Sequence, residues 1–223
     1  MYFKLRNQLL AIFDVEGVLF DAEYLPLLAE QIHMEKEIWN ITTQGISGKI
    51  NWEHGLKKRI NLLRGLSYKT CQNVANSLQI MKGAKIACTT LKNAGWKLMA
   101  VSGGFTIMTD RLKKELNLDY VFSNELIFAN GVLDDVKINV DSNKAKYAKI
   151  KIDEWQQQQK DVVIVADGAN DLTLFKLCGY GIAFRAQDSV KKLANVTLEE
   201  KDLSKIIYLI NRHYGLNLIP TQI

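Results

Sequence analysis

The sequence predicts an α/β protein: a doubly wound, mostly parallel sheet, interrupted early by a run of helices. Three observations carry that prediction. Four short apolar runs, 9–13, 98–101, Val162–Ala166 and 182–184, each stop at polar or glycine residues, as strands buried on both faces do. From Gly83 onward, helical and strand-like patterns alternate, as they do where crossover helices join parallel strands. Between residues 22 and 81 the pattern is helical and holds no convincing strand.

Taken in order, the run 9–13 ends at Asp14-Val15-Glu16-Gly17. Tyr24, Leu25, Leu27, Leu28 and Ile32 then recur at helical spacing, as do Trp52, Leu56, Ile60 and Leu63, and Val74, Leu78 and Met81 continue it. Gly45 and Gly48 mark a loop, and Gly65 ends a helix. This segment, 22–82, is expected to be a helical module inserted into a core made of 1–21 and 83–223. Residues 84–94 read as a helix closed by Gly95, and after the strand 98–101 a helix carries Ile107, Met108, Leu112 and Leu116 on one face. The stretch 120–135 is strand-like around Asn130-Gly131, a hairpin signal. Another helix starts over 145–150, and a further one is expected from Leu172 to Gly179. The last, from about 202 to 213, turns Ile206, Ile207 and Ile210 inward.

A chain of 223 residues can bury a full core, as one large domain or as a domain with an insertion. No apolar stretch is long enough to span a bilayer. The run 9–13 is broken at once by Asp14, so it does not read as a signal peptide. Cys71, Cys88 and Cys178 are odd in number and widely spaced, which reads as buried free thiols in a reducing compartment and predicts a cytoplasmic protein. The net charge of +5 is spread along the chain with no basic-aromatic module, so neither a nucleic-acid nor a membrane partner is expected. His33, His54 and His213 lack metal-ligand spacing.

The polar ends of the runs are where chemistry would collect, since sites in open α/β sheets lie beyond the carboxyl ends of strands. Asp167-Gly168-Ala169-Asn170-Asp171 offers two carboxylates and an amide, oxygen donors that suit a hard cation such as Mg2+. The alternative is a plain Asp- and Gly-rich turn. Asp14 at a strand end, two residues before Glu16, suits a nucleophile with a proton donor beside it, the arrangement that forms aspartyl-phosphates. Ser102, with the N–H groups of Gly103 and Gly104 at a helix start, makes an anion site. A lysine after the hairpin would complete charge neutralisation.

Four strings in order, FDVEGVLFDAE, SGKINWEHGLKKRINLLRGL, VSGGF and DGANDLTLF, resemble the haloacid dehalogenase-type phosphatases, and within them the phosphoserine phosphatase family. The likeness runs from about Ala11 to Ile207. It implies a Rossmann-like core with a helical cap, and Mg2+-dependent hydrolysis of a small phosphomonoester, O-phospho-L-serine first. It further implies Asp14 as the phosphorylated nucleophile and Glu16 as acid/base, with the Glu16 carbonyl in the metal shell. Ser102 and Gly103 would bind phosphate, Lys144 would neutralise it (with Lys146 in reserve), and Asn170 would contact phosphate or substrate. Asp167 and Asp171 would join Asp14 around the metal. Glu23 and Arg59 would take the ammonium and carboxylate of serine, with Ile46 and Trp52 walling the pocket; the alternative is two charges on solvated helix faces. The chain departs from the pattern at Glu16, where aspartate is usual, at Val18, where threonine is usual, and at Ala145-Lys146 in place of Gly-Glu. Those departures leave open a phosphotransferase, a phosphatase for another small ester, or a non-catalytic phospho-ligand binder.

Overall fold

The structure, a computed structural model, describes residues 8–47 and 49–221. Seven strands form one sheet: β1 (Leu10–Phe13), β2 (Lys97–Phe105), β3 (Tyr120–Ala129), β4 (Val132–Lys137), β5 (Val162–Ala166), β6 (Tyr180–Phe184) and β7 (Val196–Leu198), in the order β4-β3-β2-β1-β5-β6-β7. All pairings are parallel except β3 with β4. Residues of β1, β5 and β6 are buried throughout, as their unbroken apolar runs require. Alternation along β1 sends Ala11 and Phe13 into one apolar cluster and Leu10 and Ile12 into the other, so both faces of the sheet must be covered.

Helices do the covering. On the face of Phe13 lie α5 (Ala84–Asn93), α6 (Thr106–Glu115) and α9 (Ile206–Tyr214), through residues such as Leu91, Leu112 and Ile210. On the face of Ile12 lie α7 (Lys144–Glu154) and α8 (Asp188–Lys191), through Ala148, Ile152 and Val190. Gly95, at φ 81°, ends α5 as expected. The Asn130-Gly131 pair turns β3 into β4, both residues having positive φ.

The segment 22–82 folds as four helices: α1 (Tyr24–Ala29), α2 (Glu35–Ile46), α3 (Trp52–Leu63) and α4 (Tyr68–Ser77). Their apolar faces join the Phe13 side of the core through Leu28, Leu56, Ile60 and Val74. Three devices tie them to the sheet. The entering and leaving strands pair, with the Asp21 N–H donating to Gln79 O and the Met81 N–H to Leu19 O, both at 2.9 Å. The β3–β4 hairpin reaches across, so that Gly65 N bonds Leu133 O at 2.9 Å and Leu133 N bonds Leu66 O at 2.7 Å. Arg111 of α6 donates to the carbonyls of Ala75 (3.2 Å), Asn76 and Leu78 (2.6 Å), which α4 leaves unpaired at its C-terminus, while its guanidinium lies 5.4 Å from the Phe20 ring.

Several expectations are corrected. Gly45 lies inside α2 rather than in a loop; Gly48 lies outside the described residues. Strand β2 continues past Val101 to Phe105 with a register shift, so Ser102-Gly103-Gly104 is an irregular strand end and the helix starts only at Thr106. No helix runs from Leu172 to Gly179. Short 3-10 turns, Ala169–Asp171 and Leu174–Leu177, bridge β5 to β6, because a tighter helix covers more distance per residue in a brief connection. The three-residue β7 is too short for any periodicity to announce it. The cysteines are free, with Cys71 and Cys88 buried, and among the described residues no helix is long and apolar enough to cross a membrane.

Arg111→Met should lower stability by about 2–3 kcal/mol, since it strands carbonyls bonded to a charged donor. Denaturant unfolding measures that loss, and limited proteolysis should show faster cleavage near residues 77–82. Unchanged stability and cleavage would mean the other two ties suffice.

Candidate active site

Asp14 follows β1 directly, and its N–H donates to Val165 O of the neighbouring strand at 3.0 Å, which aims the carboxylate over the strand ends. Asp167 follows β5, and Asp171 closes the 3-10 turn after it, its Oδ2 accepting from Gly168 N at 3.3 Å. Each of these three carboxylates offers an oxygen within 4.8 Å of the others. Gly17, at φ 81°, makes the crowding possible: a Cβ there would collide with the Asp167 carboxylate.

Lys144 is the counter-charge. It opens α7, is 2% exposed, and its Nζ lies 2.7 Å from Asp14 Oδ1 and 2.6 Å from Asp171 Oδ1. Burial would push the ammonium toward neutrality, but the two aspartates outweigh it and hold its pKa above the ordinary lysine value. Lys146 lies elsewhere, half exposed and paired with Asp141. Burial, then the charge of Asp14, raises Asp171 to about 7 against the pull of Lys144. Burial and the charges of Asp14 and Asp171 also raise Asp167 well above the usual carboxylate range. Three carboxylates facing one ammonium leave the cluster short of positive charge, and its all-oxygen donor set fits a hard divalent cation.

Ser102 and Gly103 stand beside this cluster. Ser102 is buried, and its Oγ accepts from Gly104 N at 2.9 Å, leaving the hydroxyl proton to donate. Neither glycine has room for a side chain. A Cβ at Gly103 would lie 2.9 Å from Trp52 Cζ2, and one at Gly104 would lie 2.9 Å from Glu16 Oε2. Glu16 therefore approaches the Ser102 loop with one oxygen while the other accepts from the Tyr24 N–H, the first amide of α1, at 2.6 Å. Burial, and after it the charge of Asp14, raises Glu16 despite that bond.

The four-helix segment closes the other side. A cleft of about 630 Å³, measured out to its mouth, is lined from the sheet by Asp14, Glu16, Ser102, Gly103, Asp167 and Asn170. Glu23, Thr42, Trp52 and Arg59 line it from the helices. Glu23 and Arg59 are thus brought to one cleft and are not solvated helix-face charges. Glu23 is half-buried, and burial followed by the charges of Glu16, Asp167 and Asp14 raises it well above the usual range, with Arg59 opposing. Arg59 donates through Nε to Gly55 O at 3.3 Å and through Nη1 to Thr42 Oγ1 at 3.1 Å. Trp52 walls the cleft as expected; the side chain of Ile46 lies outside the described residues.

Two residues of the site carry no motif in the sequence. Asn124 of β3 is fully buried; its amide donates to Gly103 O at 2.9 Å, and its Oδ1 accepts from Asn139 N and Val140 N, each at 2.8 Å. It joins the Ser102 loop to the segment that delivers Lys144. Asn124 sits between Ser123 and Glu125, so no local pattern in the sequence marks it. Thr42, 1% exposed, is likewise unmarked.

Comparison with known proteins agrees with this geometry. The family model of haloacid dehalogenase-like hydrolases matches residues 9–179. A phosphoserine phosphatase of Methanocaldococcus jannaschii is 35% identical over 92% of this chain and 99% of its own length. Another from Archaeoglobus fulgidus is 35% identical over 89% of this chain, which spans only 58% of that longer protein. A solved structure described as a phospho-aspartyl intermediate analogue of phosphoserine phosphatase superposes with a TM-score of 0.88 at 32% identity, covering 92% of this chain and 99% of that one.

The raised carboxylates give stability a pH dependence. In the metal-free protein, Asp171 keeps a proton that the unfolded chain releases above about pH 3.9, so its contribution is full below that value and is lost as pH rises toward 7. The melting temperature should fall across this window, and Asp171→Asn should make the fall shallower. A divalent cation, which needs ionised ligands, should raise the melting temperature more at pH 8 than at pH 5. A pH-independent effect of the cation would separate these carboxylates from metal binding.

Proposed function

The chain belongs to the haloacid dehalogenase-like hydrolases, and on that premise we propose that it is a Mg2+-dependent phosphatase acting on O-phospho-L-serine through a phosphorylated Asp14. The carrying observation is one cleft lined both by Asp14 and Ser102-Gly103 and by Glu23 and Arg59. A carboxylate and a guanidinium in one cleft with a phosphate site complement the ammonium and carboxylate of an amino-acid ester. The relatives' phosphoserine phosphatase activity supports the same substrate.

In the first step an Asp14 oxygen attacks phosphorus and the bond from phosphorus to the serine oxygen breaks, leaving an acyl-phosphate. Glu16, whose carboxyl burial and the charge of Asp14 hold above the usual range, gives its proton to the departing oxygen. In the second step Glu16, now ionised, takes a proton from water as the water attacks phosphorus and frees Asp14. Lys144, the Ser102 hydroxyl, the Gly103 N–H and Asn170 hold the phosphoryl oxygens. Asp14, Asp167, Asp171 and the Glu16 carbonyl would hold Mg2+, which when bound neutralises phosphoryl charge. Residues 22–82 act as a cap domain over a core of 1–21 and 83–223, excluding water while supplying Glu23 and Arg59.

Phosphate release from a panel of phosphomonoesters, with and without Mg2+, tests the reading. Asp14→Asn should abolish turnover with the fold intact, and Glu16→Gln should slow it by about a hundredfold to ten-thousandfold. Parent-like turnover in Glu16→Gln would reduce Glu16 to a cap for α1. Arg59→Ala should cut kcat/KM on phosphoserine far more than on phosphoethanolamine, which lacks the carboxylate. Equal losses on the two substrates would argue for another small phosphomonoester.

A further inference from the structure

Neighbouring threonines on α2 behave differently. The Thr43 hydroxyl donates back to Trp39 O at 2.9 Å, the usual arrangement inside a helix. Thr42, one residue earlier, has its Oγ1 on Arg59 Nη1 instead, at 3.1 Å, and this is its side-chain hydrogen bond among the described residues. It is 1% exposed, yet it lines the cleft. A hydroxyl that accepts one bond still carries a proton to donate, and a buried donor calls for an acceptor. Gly45, one turn further along the same helix, also lines the cleft, and a Cβ placed there would meet nothing within 4 Å. Thr42 and Gly45 therefore face the same cleft from one side of α2, with open space at Gly45.

The guanidinium narrows what that space accepts. Its Nε is committed to Gly55 O and one Nη1 proton to Thr42, which fixes its rotation. Among the described residues the other Nη1 proton and both Nη2 protons have no hydrogen-bond partner, a fork suited to a carboxylate. We propose that Thr42 is a specificity-determining residue: its hydroxyl accepts from Arg59 and donates to the same substrate carboxylate, so the two side chains grip that group together. This rests on the reading of Arg59 as the carboxylate-binding residue. It makes the cap select 2-amino acid phosphate esters by two neighbouring donors, one charged and one neutral, and not by the arginine alone.

The test compares the parent, Thr42→Val and Thr42→Ser on phosphoserine and phosphoethanolamine, with melting temperatures confirming that each variant folds. Thr42→Val keeps the shape and loses the hydroxyl. It should raise KM for phosphoserine by about ten- to a hundredfold, the worth of a hydrogen bond to a charged group, with kcat changing less than about threefold. The ratio of kcat/KM on phosphoserine to that on phosphoethanolamine should fall by the same factor, and Thr42→Ser should recover most of it. Calorimetric binding of L-serine should weaken in parallel. Equal losses on both substrates, a loss confined to kcat, or no recovery in Thr42→Ser would overturn the role. If Arg59→Ala discriminates between the substrates and Thr42→Val does not, Thr42 fails while the carboxylate site stands. If neither discriminates, the reading of Arg59 falls and takes Thr42 with it.

Discussion

A lysine ammonium buried between Asp14 and Asp171 is the contact around which this site is organised. Three carboxylates drawn within reach of one another repel strongly where water is excluded, and without a positive group among them protons would neutralise them instead. Lys144 can be there only because the sheet places Asp14 and Asp171 at the ends of adjacent strands, β1 and β5, and brings the start of α7 across those ends. Asn124 keeps the approach in register, holding the backbone at Asn139 and Val140 with one end of its amide and Gly103 with the other. The Ser102 loop and the segment leading to Lys144 are thus held by the same buried side chain. The sheet order explains the location: β1 lies between β2 and β5, where the chain changes the side on which it adds strands, and a crevice opens there.

The helical segment contributes a second, separable layer. Its attachment relies on backbone pairing in the linker, on the hairpin and on Arg111, none of which touches the cleft. In the proposed reading the strand ends carry the chemistry and the helices carry the choice of substrate. Glu16 is a point of contact between the two inside the cleft, because its carboxylate bonds the first amide of α1 while lying beside the Ser102 loop. At the position where aspartate is usual, the Glu16 carboxylate ties the helical segment to the strand ends.

Much of this is legible in the amino-acid sequence. Buried strands announce themselves because both faces must be apolar, so the runs at 9–13, 98–101, Val162–Ala166 and 182–184 mark the strands, and the polar residues that follow them include Asp14, Ser102, Asp167 and Asp171. Asn130-Gly131 marks its hairpin, since positive φ at two successive residues leaves few alternatives. The helical insertion is visible from its period. Three features are not visible. The extension of β2 to Phe105 passes through two glycines that look like a loop. The 3-10 turns after β5 carry the apolar residues of a helix but lack the space for one. The short β7 has no period to read.

What the sequence determined by itself was local: which segments could be strand or helix, and which polar residues stood at their ends. Resemblance added roles, but left Lys144 and Lys146 as alternatives two residues apart. Only the tertiary structure separated them, because one residue at the start of α7 points beneath the strand ends and the other toward solvent beside Asp141. The same holds for Glu23 and Arg59, indistinguishable in sequence from ordinary surface charges until the packing of α1, α2 and α3 turned both into one cleft. Thr42 and Asn124 show the limit most clearly. Their importance lies in hydrogen bonds to partners 17 and 21 residues away, and short-range periodicity carries no record of contacts made by folding.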